Sequence, residues 1–449
     1  MDVFGNSQPK VIPLGLSENQ FQIYNKISRN YSHSFLFESL TGPEELAETS
    51  VMGFDPKAVF RGYTNKVEII MEGKTQTIQT TDPFEELRKL LGTSDDQRYR
   101  YLGGAVGVVN YDAIRLVEDI PDTHNSPQPL MEFGIYDDGI LYDNLHKKLF
   151  YFYHDENRFD RLKMGQDKLG GFHASKVIPN MDESKFSDIV SKAKRYIHNG
   201  DIFQVVLSRK FSFSVDGDNL TLYKTLRKLN PSPYMYHLKQ DSKTIIGASP
   251  EMLVRITNDR VETFPIAGTR KITNNEKEDK RLAEELLHDE KELAEHTMLV
   301  DLGRNDIGRV CKFGTVHPES LMQIKRFSHV QHIVTHVVGS LAPENDMFDA
   351  FKAVFPAGTV SGAPKVRAMQ IIDELETEAR GPYAGAVGYF SFNGCCDFAI
   401  AIRSIFIDGK KGFVQSGAGI VSDSVAKNEF KETEHKAGAM LQALKEASG

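Results

Sequence analysis

Glu292 and Glu295 stand three apart in KELAEHTMLVD, and Glu429 and Glu432 stand three apart in KNEFKET. Residues at i and i+3 share one helix face, so each segment offers two carboxylates in one direction. Two such helices facing one another make an oxygen-only site of four carboxylates. That suits a hard cation such as Mg²⁺, which keeps several waters and takes one or two direct carboxylates. Taken singly, either pair is better accounted for by a solvated face, since Lys291 with Glu295 and Glu432 with Lys436 read as ordinary surface pairs. Yet Glu429, Glu432 and Lys436 line up beside the apolar stripe of their helix, not opposite it, which places them near an interface.

Three glycine-rich segments lie late in the chain: 356–365 (PAGTVSGAPK), 385–388 (GAVG) and 416–420 (SGAGI). Successive backbone N–H groups beside glycine form anion-binding concavities. None has the spacing of a P-loop or a dinucleotide fingerprint, which disfavours a nucleotide and leaves a small carboxylate open; tight turns are the alternative. His329, His332 and His336 are spaced three and four in FSHVQHIVTH. The surrounding Val/Ile alternation predicts a strand, on which the three do not share a face. A lone catalytic His is preferred to a metal cluster, against the alternative of a satisfied buried His. No Gly-x-Ser-x-Gly elbow is present, so a triad hydrolase has no support.

These groups need elements to position them. Periodicity predicts one helix over about 276–300, carrying the first pair, and another over about 424–447, with Phe430, Ala437, Leu441 and Leu444 on its core face. Phe186, Ile189, Val190, Ala193 and Ile197 predict a further helix closed by Asn199-Gly200, and a strand over 202–213 follows. Residues 1–155 read as β-rich. They hold a hairpin of 66–71 and 74–80 around Glu72-Gly73, strands at 101–111, 134–142 and 149–153, and a helix over 84–91. Residues 156–180 are polar, carry Gly170-Gly171 and read as a connection, leaving 181–449 as the second part. The segment GAVG occurs at 104–107 and again at 385–388, by chance or from a duplicated α+β half.

The chain has 449 residues, 40% hydrophobic and 26% charged, with a net charge of −8. That composition excludes disordered and fibrous classes, and at about 150 residues per domain the length allows three domains or fewer large ones. No basic stripe argues for nucleic acid. The three Cys make neither a disulfide framework nor a zinc pattern. The start, MDVFGNSQPK, does not read as a signal peptide, and no apolar run reaches spanning length. The expectation is a soluble cytoplasmic enzyme with no membrane or nucleic-acid partner.

Together, PIAGTR (265–270), ELAEHTMLVDLGRND (292–306), FPAGTVSGAPKVRAMQII (355–372), YAGAVGYF (383–390), QSGAGIVSDS (415–424) and NEFKETEHKA (428–437) closely resemble the chorismate-utilising enzymes. Residues 1–180 match more loosely, through FESL, GFDP and GGAVG. The resemblance implies an α+β fold of two similarly built halves, with packed β-sheets and outer helices. The active site would lie in the C-terminal half and the regulatory site mostly in the first 150 or so residues.

Within the family, isochorismate and salicylate synthases carry a water-activating Lys where this chain has Gln204. Aminodeoxychorismate synthases typically carry a nucleophilic Lys where it has Ala267. Both departures point to the anthranilate-forming subgroup, which converts chorismate and ammonia to anthranilate and pyruvate at the start of tryptophan synthesis. An aminodeoxychorismate-forming enzyme is the runner-up, and an inactive regulatory homologue is remote because the four glutamates and Arg403 are all present.

The resemblance further implies Mg²⁺ held by Glu295 and Glu432, with Glu292 and Glu429 acting directly or through water. Arg403 and Tyr383 would bind the enolpyruvyl carboxylate. The backbone at Gly417, Ala418 and Gly419, with Gly268, Thr269 and Lys436, would complete the substrate site. Glu251 would be the general acid for the leaving hydroxyl, Thr359 would place a hydroxyl near the ring, and His332 would serve pyruvate loss. No Cys lies in a glutaminase motif, so a separate glutamine amidotransferase subunit would supply ammonia in a hetero-oligomer. FES (37–39) and NPSPYMY (230–236) resemble the subgroup's tryptophan-inhibition site, assigning Glu38, Ser39, Pro233, Tyr234 and Met235 to feedback. The complete absence of Trp is consistent with translation during tryptophan starvation.

Overall fold

The computed structural model describes residues 4–15, 18–41, 48–124, 128–273, 275–327 and 330–449. His329 and the Gly42-Pro43 pair lie outside them. The chain folds into two large antiparallel sheets, of 13 and 12 strands among the described residues. One core lies between the sheets. It brings Phe35, Tyr236, Leu238 and Phe406 of the first against Val106, Phe133, Val254, Phe390 and Phe398 of the second. Two further cores cover the outer face of the first sheet. Helices Gln20–Ser28, Asn219–Leu229 and Ala426–Ala447 close one of them. Helices Glu183–His198 and Lys365–Leu375 close the other over strand Gln204–Gly217. This is the expected α+β arrangement of packed sheets and outer helices.

Each sheet joins a block of strands from before residue 155 to a block from after residue 171, and the two blocks meet at a single seam. In the first sheet His33–Glu38 pairs with Tyr234–Gln240, setting Glu38 opposite Met235. In the second Gly104–Val109 pairs with Ala386–Ser391, setting Gly107 opposite Gly388. The two GAVG segments therefore lie on adjacent strands at the seam between early and late strands and meet at their last glycines. Their glycines have a steric reason: a Cβ at Gly107 would sit 2.0 Å from the Glu132 carbonyl oxygen, and one at Gly388 2.1 Å from that of Asp397.

Several boundaries differ from expectation. The helix expected over 276–300 is two, Glu276–Leu287 and Glu290–Gly308, because Asp289 accepts from the Lys291 and Glu292 amides and starts a new helix. The strand expected over 134–142 is also two, Met131–Tyr136 and Asp138–Asp143, which belong to different sheets. The connection 156–180 contains the short strands Phe172–Ala174 and Ile178–Pro179, both on Gln204–Gly217. Leu441 is half-buried, while Ala437 and Leu444 are in the core. Among the described residues no helix is long and apolar enough to cross a membrane.

Candidate active site

The glutamate pairs project from Glu290–Gly308 and Ala426–Ala447. Lys291 lies between them: its ammonium is 2.9 Å from Asp423, just ahead of the C-terminal helix. Asp423 first, then Glu429 and Glu295, hold its pKa above the usual value. Glu295 accepts from the Gln204 amide at 3.1 Å. Glu292 accepts from Arg270 Nη1 at 3.3 Å, and Glu432 is 2.7 Å from Lys436 Nζ. Burial raises the pKa of Glu292 and of Glu429, and the neighbouring carboxylates Glu295 and Glu432 push in the same direction. Among the described residues no three His, Cys, Asp or Glu side chains gather closely enough to hold a metal ion by themselves. Crowded, partly buried carboxylates with only oxygen donors fit a hard cation whose shell is completed by water and a ligand carboxylate.

Below the helices, strand Lys411–Ile420 runs beside Gln204–Gly217, with Gly417, Ala418 and Gly419 opposite Ser208, Leu207 and Val206. The Gly417 carbonyl accepts from Lys436 Nζ at 3.0 Å instead of from that strand. In an antiparallel strand its N–H points the same way, outside the ladder. A Cβ at Gly417 would lie 2.9 Å from the Tyr383 hydroxyl, and one at Gly419 2.6 Å from the Gln204 amide nitrogen. These glycines keep the floor of the site open.

Arg403 stands at one end of this floor. It donates to the Lys436 carbonyl at 2.7 Å, and among the described residues no carboxylate lies within ion-pair distance of it. Burial lowers its pKa. A half-buried guanidinium without a counter-ion among the described residues is costly, and it marks a place for a planar anion. Burial pushes the nearby Tyr383 up to about 12, so its hydroxyl stays a donor. Arg403 (φ 51°) and Ala384 (φ 62°) both hold left-handed backbone. Such strain collects at functional sites. It is held here by Ala248 N–H to Arg403 C=O at 3.1 Å and Ala384 N–H to Ala401 C=O at 3.0 Å.

Glu251 is buried and accepts from the Thr359 hydroxyl at 2.7 Å. Burial raises its pKa to about 7, against the opposing pull of that bond and of Lys436. His332 Nδ1 is 2.8 Å from the Gly268 carbonyl. That contact assigns the proton to Nδ1 and leaves Nε2 as an acceptor. Burial holds His332 below the ordinary His value, and the Thr269 hydroxyl is 3.2 Å from the same nitrogen. His336 shares the strand but is taken up by Glu262 at 2.9 Å and Glu319 at 3.1 Å. Pattern alone did not single out Arg270, which bonds Glu292, Asp289 and Glu285 together. Nor did it single out Arg209, although a charged residue inside the apolar run QVVLSRKF is a signal of its own.

A second cavity lies between the seams of the two sheets. It measures about 530 Å³ including its open mouth and is lined by Glu38, Ser39, Pro233, Tyr234 and Met235, with Arg100, Gly388 and Asp397 opposite. Glu38 itself is engaged by Arg227 at 2.6 and 2.8 Å and by Tyr223 at 2.7 Å. The Ser39 hydroxyl is buried and has no partner among the described residues.

Sheets, helices and site together define an enzyme of the chorismate-binding class. The family model described as chorismate binding enzyme matches residues 32–442, and the chain belongs to that family. It is 46% identical to anthranilate synthase component 1 of Methanothermobacter thermautotrophicus, over 94% of this chain and 92% of that one. It is 40% identical to anthranilate synthase component 1 of Saccharolobus solfataricus, over 98% and 99%. The crystal structure of anthranilate synthase component I from Streptococcus pneumoniae superposes with a TM-score of 0.78 at 39% identity, covering 88% of this chain and 92% of that one. The menaquinone-specific isochorismate synthase of Escherichia coli shares the fold, with a TM-score of 0.76 at 19% identity, over 99% and 96%.

Proposed function

We propose that the protein is the large component of an anthranilate synthase, acting in the cytoplasm to convert chorismate and ammonia into anthranilate, pyruvate and water. The observation that carries this reading is the half-buried Arg403 beside Tyr383, with no carboxylate at ion-pair distance among the described residues, on a glycine floor between Glu251 and the two glutamate pairs.

Arg403 and Tyr383 bind the enolpyruvyl carboxylate, with the backbone N–H groups of Gly417 and Gly419 as further donors. Glu295 and Glu432 hold Mg²⁺, flanked by Glu292 and Glu429, and Lys436 adds a point charge. When bound, the metal orients the ring carboxylate and draws electron density from the ring. Glu251, which burial keeps partly protonated near neutral pH, gives its proton to the departing C4 hydroxyl, and Thr359 orients that carboxyl. Ammonia adds to the ring at C2. His332 Nε2, turned by the Gly268 carbonyl, then takes the C2 proton as pyruvate leaves and the ring becomes aromatic.

Ammonia must come from outside this chain. Its three cysteines are free, and burial raises all three thiols, Cys311 to about 11. None has the depressed pKa of a nucleophilic thiol, which supports a separate glutamine amidotransferase subunit. The cavity at Ser39 and Met235 supports feedback by tryptophan: a buried hydroxyl has no partner among the described residues, and Met235 and Tyr234 offer an apolar wall.

The purified chain, given chorismate, Mg²⁺ and ammonium above pH 8, where free ammonia is more abundant, is expected to produce fluorescent anthranilate and equimolar pyruvate. It should not use glutamine until the amidotransferase is added. A retained enolpyruvyl adduct without pyruvate would identify the aminodeoxychorismate reaction instead.

A further inference from the structure

Strand Gln204–Gly217 touches both glutamate-bearing helices. Near its start, the Gln204 amide donates to Glu295 at 3.1 Å. Five residues on, Arg209 turns to the C-terminal helix, and its guanidinium is one of the largest fully buried groups in the molecule. Its Cζ lies 3.6 Å from the centre of the Phe430 ring. Nη1 donates to the Thr433 hydroxyl at 3.0 Å and Nη2 to the Met181 carbonyl at 3.1 Å. Nε has no partner among the described residues. The nearest carboxylate, Glu434, is 3.6 Å away and half-exposed. The Ser416 hydroxyl, on the adjacent strand, reinforces the same turn by donating to the Thr433 carbonyl at 2.6 Å.

A cation buried with an unmet donor and only a loose counter-ion does not hold its place by stability alone. Its three contacts on the C-terminal helix, Phe430, Thr433 and Glu434, interleave with Glu429 and Glu432. The flat guanidinium stacks on a ring while its edge reaches a hydroxyl. A lysine reproduces neither the stack nor the fork. The helix also begins without a side-chain cap on Val425, so its first two turns, which carry both glutamates, depend on such outside restraints.

We propose that Gln204–Gly217 is the spacer that sets the separation of the two carboxylate pairs, with Arg209 the positioning residue for Glu429 and Glu432 and Gln204 that for Glu295. Arg209 acts through the helix that carries Glu429 and Glu432, and Gln204 acts through Glu295. The proposal rests on the reading of those glutamates as the metal-holding groups, and it adds which residues fix their geometry. Groups that orient metal-holding carboxylates typically contribute a factor of about 10–100 in metal affinity.

The test is direct binding of Mn²⁺, followed by electron paramagnetic resonance of the free ion with no turnover, on the full chain and on Glu432→Gln, Arg209→Lys, Arg209→Met and Gln204→Met. Arg209→Lys keeps the charge and loses the stack, and it guards against loss of fold in the Met variant. Amide exchange over 426–436 is read alongside. Glu432→Gln should abolish tight binding. Both Arg209 variants should bind Mn²⁺ about ten-fold more weakly or worse and exchange faster over 426–436 only. Gln204→Met should weaken binding by a similar factor with that exchange unchanged. Equal Mn²⁺ affinity in the parent and the Arg209 variants, with Glu432→Gln defective, overturns the spacer while leaving the metal reading intact. Equal affinity in the parent and Glu432→Gln overturns the metal reading, and the spacer with it.

Discussion

At the scale of single residues, the site separates one proton donor from one proton acceptor by environment. Glu251 sits with its carboxyl buried against Thr359, and burial lifts its pKa from 4.5 to about 7. Between those values the unfolded chain has released this proton and the folded chain keeps it. Its contribution to stability is therefore complete below about pH 4.5 and lost as pH rises through 7. Glu251→Gln keeps the Thr359 contact and cannot donate the acidic proton. Turnover should fall by about 10²–10⁴-fold, and the fall of the parent's melting temperature between pH 4.5 and 7 should flatten in the variant. Retained turnover would remove Glu251 as the acid. His332 works in the opposite sense: burial keeps it neutral and the Gly268 carbonyl fixes which nitrogen is bare. His332→Met should still form the amino-substituted intermediate while pyruvate release drops, which chromatography of quenched reactions would resolve. Parallel loss of both steps would make it a binding residue.

At the scale of elements, the two glutamate-bearing helices were legible from i, i+3 spacing, but the break at His288 was not. A 25-residue apolar periodicity hides a boundary that is set by one capping side chain. The available signal was Asp289 three residues ahead of Glu292, a carboxylate-bearing start in the N-cap register. The stretch 134–142 likewise hides a crossing from one sheet to the other, because both strands are almost wholly buried and read as one β segment; the available signal was Asp137-Asp138-Gly139 in its middle. Helices Gln20–Ser28, Asn219–Leu229, Met347–Val354 and Lys365–Leu375 went unread. They are short, and they are stabilised mainly by the sheets they cover. The carboxylate pairs lie on helix surfaces and are not needed for the core, which leads to a separation of activity from stability. Glu295→Gln and Glu432→Gln should each lose turnover at every Mg²⁺ concentration. Their thermal stability should stay within about 0.5 kcal/mol of the parent, the usual range for surface changes. A variant that regains near-normal turnover at limiting Mg²⁺ would refute the four-glutamate arrangement.

At the scale of the whole molecule, the seam between early and late strands runs through both sheets, and the second cavity occupies the gap between the two seams. Its lining comes from His33–Glu38 and Tyr234–Gln240 on one side and from Ala386–Ser391 on the other. Strand Ala386–Ser391 follows Tyr383 directly, and strand Tyr234–Gln240 is joined through Lys243–Ser249 to Ser404–Asp408, which follows Arg403. A ligand that wedges the seams apart is therefore expected to shift the strands that follow Tyr383 and Arg403, the two groups proposed to receive the enolpyruvyl carboxylate. The linked helix Asn219–Leu229 supplies Tyr223 and Arg227 to Glu38 and packs on the C-terminal helix, so the glutamates are coupled to the same event. Two sites biasing one packed arrangement is the physical requirement for allosteric inhibition. The Ser39 hydroxyl is buried at the cavity wall with no partner among the described residues, and a phenyl group there would take the space an indole needs. Ser39→Phe should raise the tryptophan concentration for half-inhibition by at least about ten-fold, while chorismate turnover without tryptophan stays within about two-fold of the parent, since a 1.4 kcal/mol loss of binding is a factor of ten. The measurement is anthranilate fluorescence across a tryptophan titration at several chorismate concentrations. Unchanged inhibition of Ser39→Phe, or parent inhibition that Glu292 and Glu295 substitutions relieve instead, would place tryptophan at the glutamates and not between the seams.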